Sequence, residues 1–152
     1  LFVDPDDALL DQVLARVPLD IIQLHGSESP DRVARVKALS GLPVMKAVGL
    51  SDPADLPALT DYGLVADMLL VDAKPPRGAD LPGGNGLSFD WRLLVGRRWL
   101  RPWMLAGGLT AQNVAEAIRL TGAPAVDVSS GVEIEPGVKD EGLIRAFVAA
   151  AT

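Results

Sequence analysis

Leu69-Leu70-Val71-Asp72-Ala73-Lys74 reads as a buried strand ending in one carboxylate. Pro75-Pro76-Arg77-Gly78 follows, then Gly83-Gly84-Asn85-Gly86, then a helix expected to open at Phe89-Asp90-Trp91. Ligands of α/β proteins gather at the carboxyl ends of parallel strands, so a charged side chain between an apolar strand and a glycine loop is a place for chemistry. Leu105-Ala106-Gly107-Gly108 and Val126-Asp127-Val128-Ser129-Ser130-Gly131 have the same form. The three stretches are expected around one mouth.

The same unit recurs on both sides. Apolar runs at 1–3, 20–25, 43–48, 67–72, 102–106 and 125–129 read as strands. Helices are expected between them, over 7–17, 30–39, 55–62, 90–96 and 110–120, with a last one over 140–151. Leu9, Leu10, Val13, Leu14 and Val17 carry the first helix at helical spacing, with Asp6 as its cap and Pro18 as its stop. Ser29-Pro30 opens the second in the usual order of cap and first-turn proline. Pro57 is expected to interrupt the third.

Continuous apolar strands are those of a parallel sheet covered on both faces. Alternation of this kind builds a doubly wound sheet or a barrel. Glycine and polar residues follow most strand ends, and no Gly-x-Gly-x-x-Gly opens a helix after the first strand, so the barrel is favoured. The expected fold is α/β, a (β/α)8 TIM barrel with about six of its eight βα units present, strands 3 to 8. The chain starts inside an apolar run without Met. Residues 1–152 are therefore expected to form a single barrel domain lacking its first two βα units, roughly 50–60 residues that would precede Leu1.

Composition narrows the functions. Twenty Asp and Glu against 14 Lys and Arg leave a net charge of −6, which argues against a nucleic-acid surface. The Arg92, Arg97, Arg98 and Arg101 cluster beside Trp91, Trp99 and Trp103 is accordingly read as a solvated outer face. With no cysteine there is no disulfide, thiolate metal site or cysteine nucleophile in these 152 residues. No apolar run approaches the ~20 residues of a membrane span, and no signal peptide is visible, so no membrane partner and a cytoplasmic location are expected.

Asp72 is the first candidate for catalysis. A partly desolvated carboxylate at a barrel mouth can act as a general acid, against the plainer reading of a helix cap or a salt bridge to Lys74 or Lys46. Gly84 and Gly86 sit in a loop whose backbone could approach a ligand, or which is only a surface loop. Gly107 and Gly108, with Ser129, Ser130 and Gly131, occupy the last two loops, which in barrels often hold phosphate on backbone N–H groups. Asp127 alternates with Ser129 and could bond a sugar hydroxyl or be tied up by Lys46 or backbone. His25, the one histidine, and Gln23 two residues earlier stand at the mouth and are candidates for substrate contact, or are structural. Lys46 is a Schiff-base candidate for which an ion pair is the stronger reading.

Taken together these stretches resemble the phosphoribosylanthranilate isomerases, (β/α)8 enzymes of tryptophan biosynthesis. The resemblance rests on Leu1-Phe2-Val3-Asp4-Pro5, Ile22-Gln23-Leu24-His25-Gly26, Leu70 to Lys74, and Gly83 to Gly86 with Phe89-Asp90-Trp91. Leu105 to Thr110, Asn113-Val114, and Val126 to Glu133 with Pro136-Gly137 and Lys139-Asp140 complete it. It implies an aldose–ketose isomerase that converts N-(5-phosphoribosyl)anthranilate to 1-(2-carboxyphenylamino)-1-deoxyribulose 5-phosphate by an Amadori rearrangement. In that reaction Asp72 would protonate the ring oxygen and the backbone around Gly107, Gly108 and Ser129–Gly131 would hold the phosphate. It implies a small phosphosugar as the ligand, no metal or organic cofactor, and a monomer or homodimer. The family's cysteine base and its anthranilate-binding arginine follow the first two strands, and are expected ahead of Leu1.

Two other readings stay open. One is a non-catalytic phosphosugar-binding or assembly module. The other is a different phosphosugar barrel enzyme, such as indole-glycerol-phosphate synthase or a histidine-pathway isomerase. The Gly83–Trp91 stretch and the Ser129-Ser130-Gly131-Val132-Glu133 run argue against the latter.

Overall fold

Local signals start most elements where they are expected. In the computed structural model, which describes residues 1–74 and 88–152, the Asp6 carboxylate accepts from the Leu9 N–H at 2.7 Å and opens α1 (Asp7–Leu14). This helix ends before Val17, in a turn where the Val17 N–H returns to the Val13 carbonyl. β1 (Ile22–Leu24) leads to α2 (Pro30–Ser40), capped by Ser29 and closed by Gly41 at φ 67°. β2 (Val44–Leu50) follows. A reciprocal Asp52–Asp55 capping box winds Pro53–Asp55 into a 3₁₀ turn that runs into α3 (Leu56–Val65). Pro57 does not interrupt α3, because it lies in the first turn, where its missing N–H would have had no helical partner.

β3 (Met68–Ala73) is the strand on which the sequence reading turned. The Gly83–Gly86 loop, with Gly84 and Gly86, lies outside the described residues. The helix expected over 90–96 is instead one 3₁₀ turn, Trp91–Leu94, with Asp90 accepting from the Arg92 N–H. Val95 is already extended and Gly96 sits at φ 69°, so the turn stops after four residues. β4 (Trp103–Leu105) precedes α4 (Val114–Thr121), which starts later than Thr110 because Asn113 first closes a turn onto the Thr110 N–H. A hairpin of β5 (Glu133–Glu135) and β6 (Val138–Lys139) was not expected. Its strands are short and its side chains largely charged and exposed, so no apolar run announces it. α5 (Glu141–Ala151) closes the chain, capped by Asp140.

β1 to β4 form one parallel sheet in sequential order. Phe2 extends it beside Leu24, and Val126 extends it beside Leu105, each through a parallel bridge. Six extended segments thus lie side by side in chain order. A doubly wound sheet reverses its order at a switch point; a barrel wall does not.

The two faces of this wall differ. Ile22, Leu24, Val44, Val48, Leu50, Leu69, Val71 and Leu105 pack against the helices in one large core. Ala47, Leu70 and Ala106, flanked by Met45 and Met104, form a small separate cluster on the other face. Strand alternation puts Gln23, His25, Asp72 and Asp127 on that second face, the inside of the wall.

Charged groups tie the loops. Lys74 just beyond β3 donates to Asp55 at 2.7 Å, across the capping box. Burial alone would raise the Asp55 pKa, but the Lys74 ammonium, the Ser51 N–H and hydroxyl and the Asp52 N–H together lower it to about 2. A depressed folded-state pKa stabilises the protein above the ordinary carboxylate value, and that contribution is lost as pH falls from 3.8 toward 2. Asp55→Asn is expected to flatten this part of the acid-unfolding curve; an unchanged curve would rule out the linkage.

Candidate active site

Asp72 stands at the inner end of β3 and is only 8% exposed. Neither salt bridge of the plainer reading forms: Lys74 pairs with Asp55 and Lys46 with Glu28. Its Oδ1 accepts from the Ala73 N–H at 2.7 Å, and its Oδ2 lies 3.1 Å from His25 Nε2. On the other side of the ring, Gln23 Nε2 lies 3.1 Å from His25 Nδ1. Three residues that the sequence placed at the mouth one by one are therefore joined in a single chain, Gln23–His25–Asp72.

Asp127 completes the group. Its pKa is raised, first by burial and then by the negative charge of Asp72, while His25 and Lys139 act in the opposite direction. The inner face thus sets a carboxyl group in contact with the Ala73 N–H and the His25 ring beside a second one biased toward its neutral form.

The glycine loops close against this group. Gly107 and Gly108 take φ 87° and 63°, a region glycine enters without a side-chain penalty. A methyl on Gly107 would lie 2.6 Å from the Ala73 nitrogen and 3.2 Å from Asp72 Oδ1. Asn113 pins the same loop from behind: its Oδ1 accepts from Thr110 N–H and its Nδ2 donates to the Gly108 carbonyl. Ser129 leads into a 3₁₀ turn, Ser130–Val132, and Gly131 presses on the Leu109 carbonyl. The two loops expected to act together are in direct contact. Lys139 Nζ grips the second loop, donating to the Ser129 carbonyl at 2.9 Å, to the Ser129 hydroxyl at 3.1 Å and to Glu133 at 2.5 Å.

A methyl on Gly131 would lie 1.9 Å from the Leu109 oxygen, closer than any real contact. Gly131→Ala is expected to force the loops apart and cost about 1–3 kcal/mol, the usual penalty for overpacking. Thermal unfolding measures it, and a melting temperature equal to that of the unsubstituted protein would contradict the close approach.

Lys46 is not a Schiff-base lysine. It lies on the helix-facing side of β2, 2% exposed, with Nζ 2.9 Å from Glu28 Oε2 and 2.8 Å from the Gly26 carbonyl. Tyr62 covers the ammonium and donates its hydroxyl to the Glu28 carbonyl. Glu28 accepts from the N–H groups of Asp4 and Gly26, so it ties the first strand to the loop after His25. Glu28 has no signal in the sequence because its partners Asp4 and Lys46 are distant in the chain; Asn113 and Lys139 enter the sequence analysis only within the resemblance, since their bonds to loop backbone leave no pattern of their own. The arginine–tryptophan cluster lies on an outer face with Arg92, Arg98 and Arg101 exposed, as expected; within it Trp99 stacks on Trp103, Arg97 covers Trp99, and Arg101 donates to the Gly63 carbonyl. Among the described residues no group of three His, Asp or Glu side chains is placed to hold a metal ion. Nor is any helix among them long and apolar enough to cross a membrane.

A wall of parallel strands in chain order, with a buried carboxylate–imidazole pair inside it and two interlocked glycine loops beside that pair, defines an α/β protein of the barrel class with its candidate site on the inner face. Residues 1–150 match the family described as N-(5'phosphoribosyl)anthranilate (PRA) isomerase, and the chain belongs to it. The N-(5'-phosphoribosyl)anthranilate isomerase of Paracoccus denitrificans (strain Pd 1222) is 74% identical over 152 residues, which are all of this chain and 71% of that protein. The fold is likewise that of solved members. A crystal structure of mutually generated monomers of the dimeric enzyme from Thermotoga maritima superposes with a TM-score of 0.80 at 34% identity, covering 99% of this chain and 69% of that one. A phosphoribosyl anthranilate isomerase crystallised in complex with reduced 1-(o-carboxyphenylamino)-1-deoxyribulose 5-phosphate superposes with a TM-score of 0.79 at 33% identity, covering 99% of this chain and 68% of that one. The fold is therefore α/β of the TIM-barrel class.

Proposed function

We propose that this chain carries the acid and the phosphate cradle of an isomerase that converts N-(5-phosphoribosyl)anthranilate to its aminoketose in tryptophan biosynthesis. The observation that carries the reading is the 3.1 Å contact of Asp72 with His25 on the inner face, beside the Gly107–Gly108 loop. The substrate phosphate would sit on the backbone of Gly107, Gly108, Ser129, Ser130 and Gly131, where turns of successive N–H groups suit an anion whatever the net charge of the protein. Asp72 would give its proton to the ring oxygen as the C1′–O bond breaks and the nitrogen lone pair forms a C=N bond. A base then removes the C2′ proton, the electrons shift to an enolamine, and protonation at C1′ with loss of the C2′ hydroxyl proton gives the ketone. No step moves electrons to an outside acceptor, so acid–base groups suffice. Asp127, Gln23 and His25 face the same space and are read as substrate-side groups. Membership of the family supports the reaction, and the inner-face geometry supports these roles.

The six aligned segments among the described residues are two fewer than a closed barrel of this type contains. We read residues 1–152 as one barrel domain whose other two βα units lie outside them, and the general base with those units, since these residues include no cysteine. The same reading makes the protein a cytoplasmic monomer or homodimer. Residues 1–152 alone are expected to turn over little or no substrate, and the intact protein to turn it over readily. Equal turnover by both would end the assignment of the base to residues outside this stretch. No turnover by either would end the isomerase reading.

A further inference from the structure

The Gln23–His25–Asp72 chain has an internal logic beyond substrate contact. Gln23 Nε2 is a donor only, so facing it His25 Nδ1 must accept. The ring proton then sits on Nε2 and is donated to Asp72 Oδ2. With Oδ1 bound by the Ala73 N–H, both carboxylate oxygens hold donors, and this arrangement fits the ionised form of Asp72. A general acid needs the other form. For Asp72 to carry a proton toward His25, Nε2 must become an acceptor, the ring proton must move to Nδ1, and the group facing Nδ1 must accept. A glutamine does this by turning its amide through half a turn; a carboxylate, an ammonium or an apolar side chain cannot serve both states.

We propose that Gln23 and His25 are positioning residues that load Asp72: reversal of the Gln23 amide, coupled to a change of His25 tautomer, is what lets the carboxylate take up its proton. The balance is one proton in and one out. In the resting state His25 carries hydrogen on Nε2 and Asp72 carries none. One proton from water enters at the imidazole, Nδ1 keeps a hydrogen facing Gln23 Oε1, and the Nε2 proton passes to Asp72 Oδ2. Asp72 then gives a proton to the substrate, and the imidazole returns to its Nε2–H form.

The surroundings suit this. The His25 and Asp72 side chains are 12% and 11% exposed, enough to meet water and too little to be governed by it. Asp127, next to the Val126 bridge, is close enough to feel the charge of both Asp72 and His25, and Lys139 acts on it as well. From β2 the neighbour of Asp72 is Gly49, which brings no charge. The Lys46–Glu28 pair lies on the opposite face of the sheet, and the Asp4 carboxylate is turned onto the Ser27 N–H.

The inference rests on Asp72 being the acid, and its test separates the two. In the intact protein, the ¹⁵N signals of the His25 ring, assigned by comparison with His25→Gln, are expected to show the Nε2–H tautomer at high pH. Nδ1 should become protonated as the pair takes up a proton. Gln23→Glu, which can only accept, is expected to raise the pH of that uptake by at least about one unit, and to move the matching limb of the kcat/KM profile with it. An Nδ1–H tautomer at high pH overturns the proposal, as does a Gln23→Glu variant in which neither quantity moves. His25→Gln is a second check that does not depend on Gln23→Glu folding. It keeps an N–H donor where Nε2 lies but cannot relay, so kcat should fall by about 10²-fold. Recovery to near the parent value overturns the proposal. A wild-type turnover for Asp72→Asn would instead remove the acid assignment and leave the tautomer result standing.

Discussion

Asp72→Asn in the intact protein is expected to lower kcat by about 10²–10⁴-fold, the range for losing a positioned proton donor, with little change in melting temperature. The substitution keeps the size of the side chain and an oxygen for the Ala73 N–H, so the end of β3 should hold. What disappears is the carboxyl group that takes up the proton and passes it on. The amide nitrogen would face His25 Nε2, donor against donor, unless the imidazole changes tautomer. KM should move less than kcat, because the phosphate loops are reached from Gly107 and Gly131 and not from the carboxylate. A kcat within a few-fold of the parent would place the acid elsewhere.

Breaking the Lys46–Glu28 pair should have the largest effect on stability. Both groups are buried, at 2% and 4% exposure, and each completes hydrogen bonds to backbone as well as to the other. Lys46→Met leaves the Glu28 carboxylate in the interior without its cation. Removing one partner of a buried pair costs about 3–5 kcal/mol. Replacing both, Lys46→Met with Glu28→Gln, should cost less than Lys46→Met alone, since no bare charge is left behind. Urea unfolding of the two variants and the parent tests this. A double variant less stable than Lys46→Met, or a single variant as stable as the parent, would show that the pair does not act as a unit. Because Glu28 binds the N–H of Gly26, next to His25, the single variant should also loosen the loop that holds the imidazole.

Much of this architecture was written in local signals. Ser29-Pro30, Asp6 and Asp140 started helices where side-chain caps start them. Apolar runs marked every segment of the wall, although Phe2 and Val126 join it through single bridges. The errors fall where local signals are weak or doubled. The 90–96 stretch has the cap of a helix but ends at a left-handed glycine, and leaves only a 3₁₀ turn. Pro57 looked like an interruption because its place in the first turn depends on where the Asp52–Asp55 capping box starts the helix.

By itself, the sequence determined the class of fold and the list of polar groups at strand ends. Periodicity, caps and glycines are properties of neighbours in the chain, and the physics that reads them is short-ranged. Which of those groups would meet was decided by the tertiary structure. Asp72 was as free on paper to pair with Lys74 or Lys46 as with His25. The sheet register and alternation turned Lys46 to the helix side, Lys74 found Asp55, and His25 and Asp72 were left on the same inner face, 47 residues apart in the chain and in contact at 3.1 Å. A hydrogen bond between side chains that distant in sequence is set by how the strands lie against one another, and no local pattern encodes it.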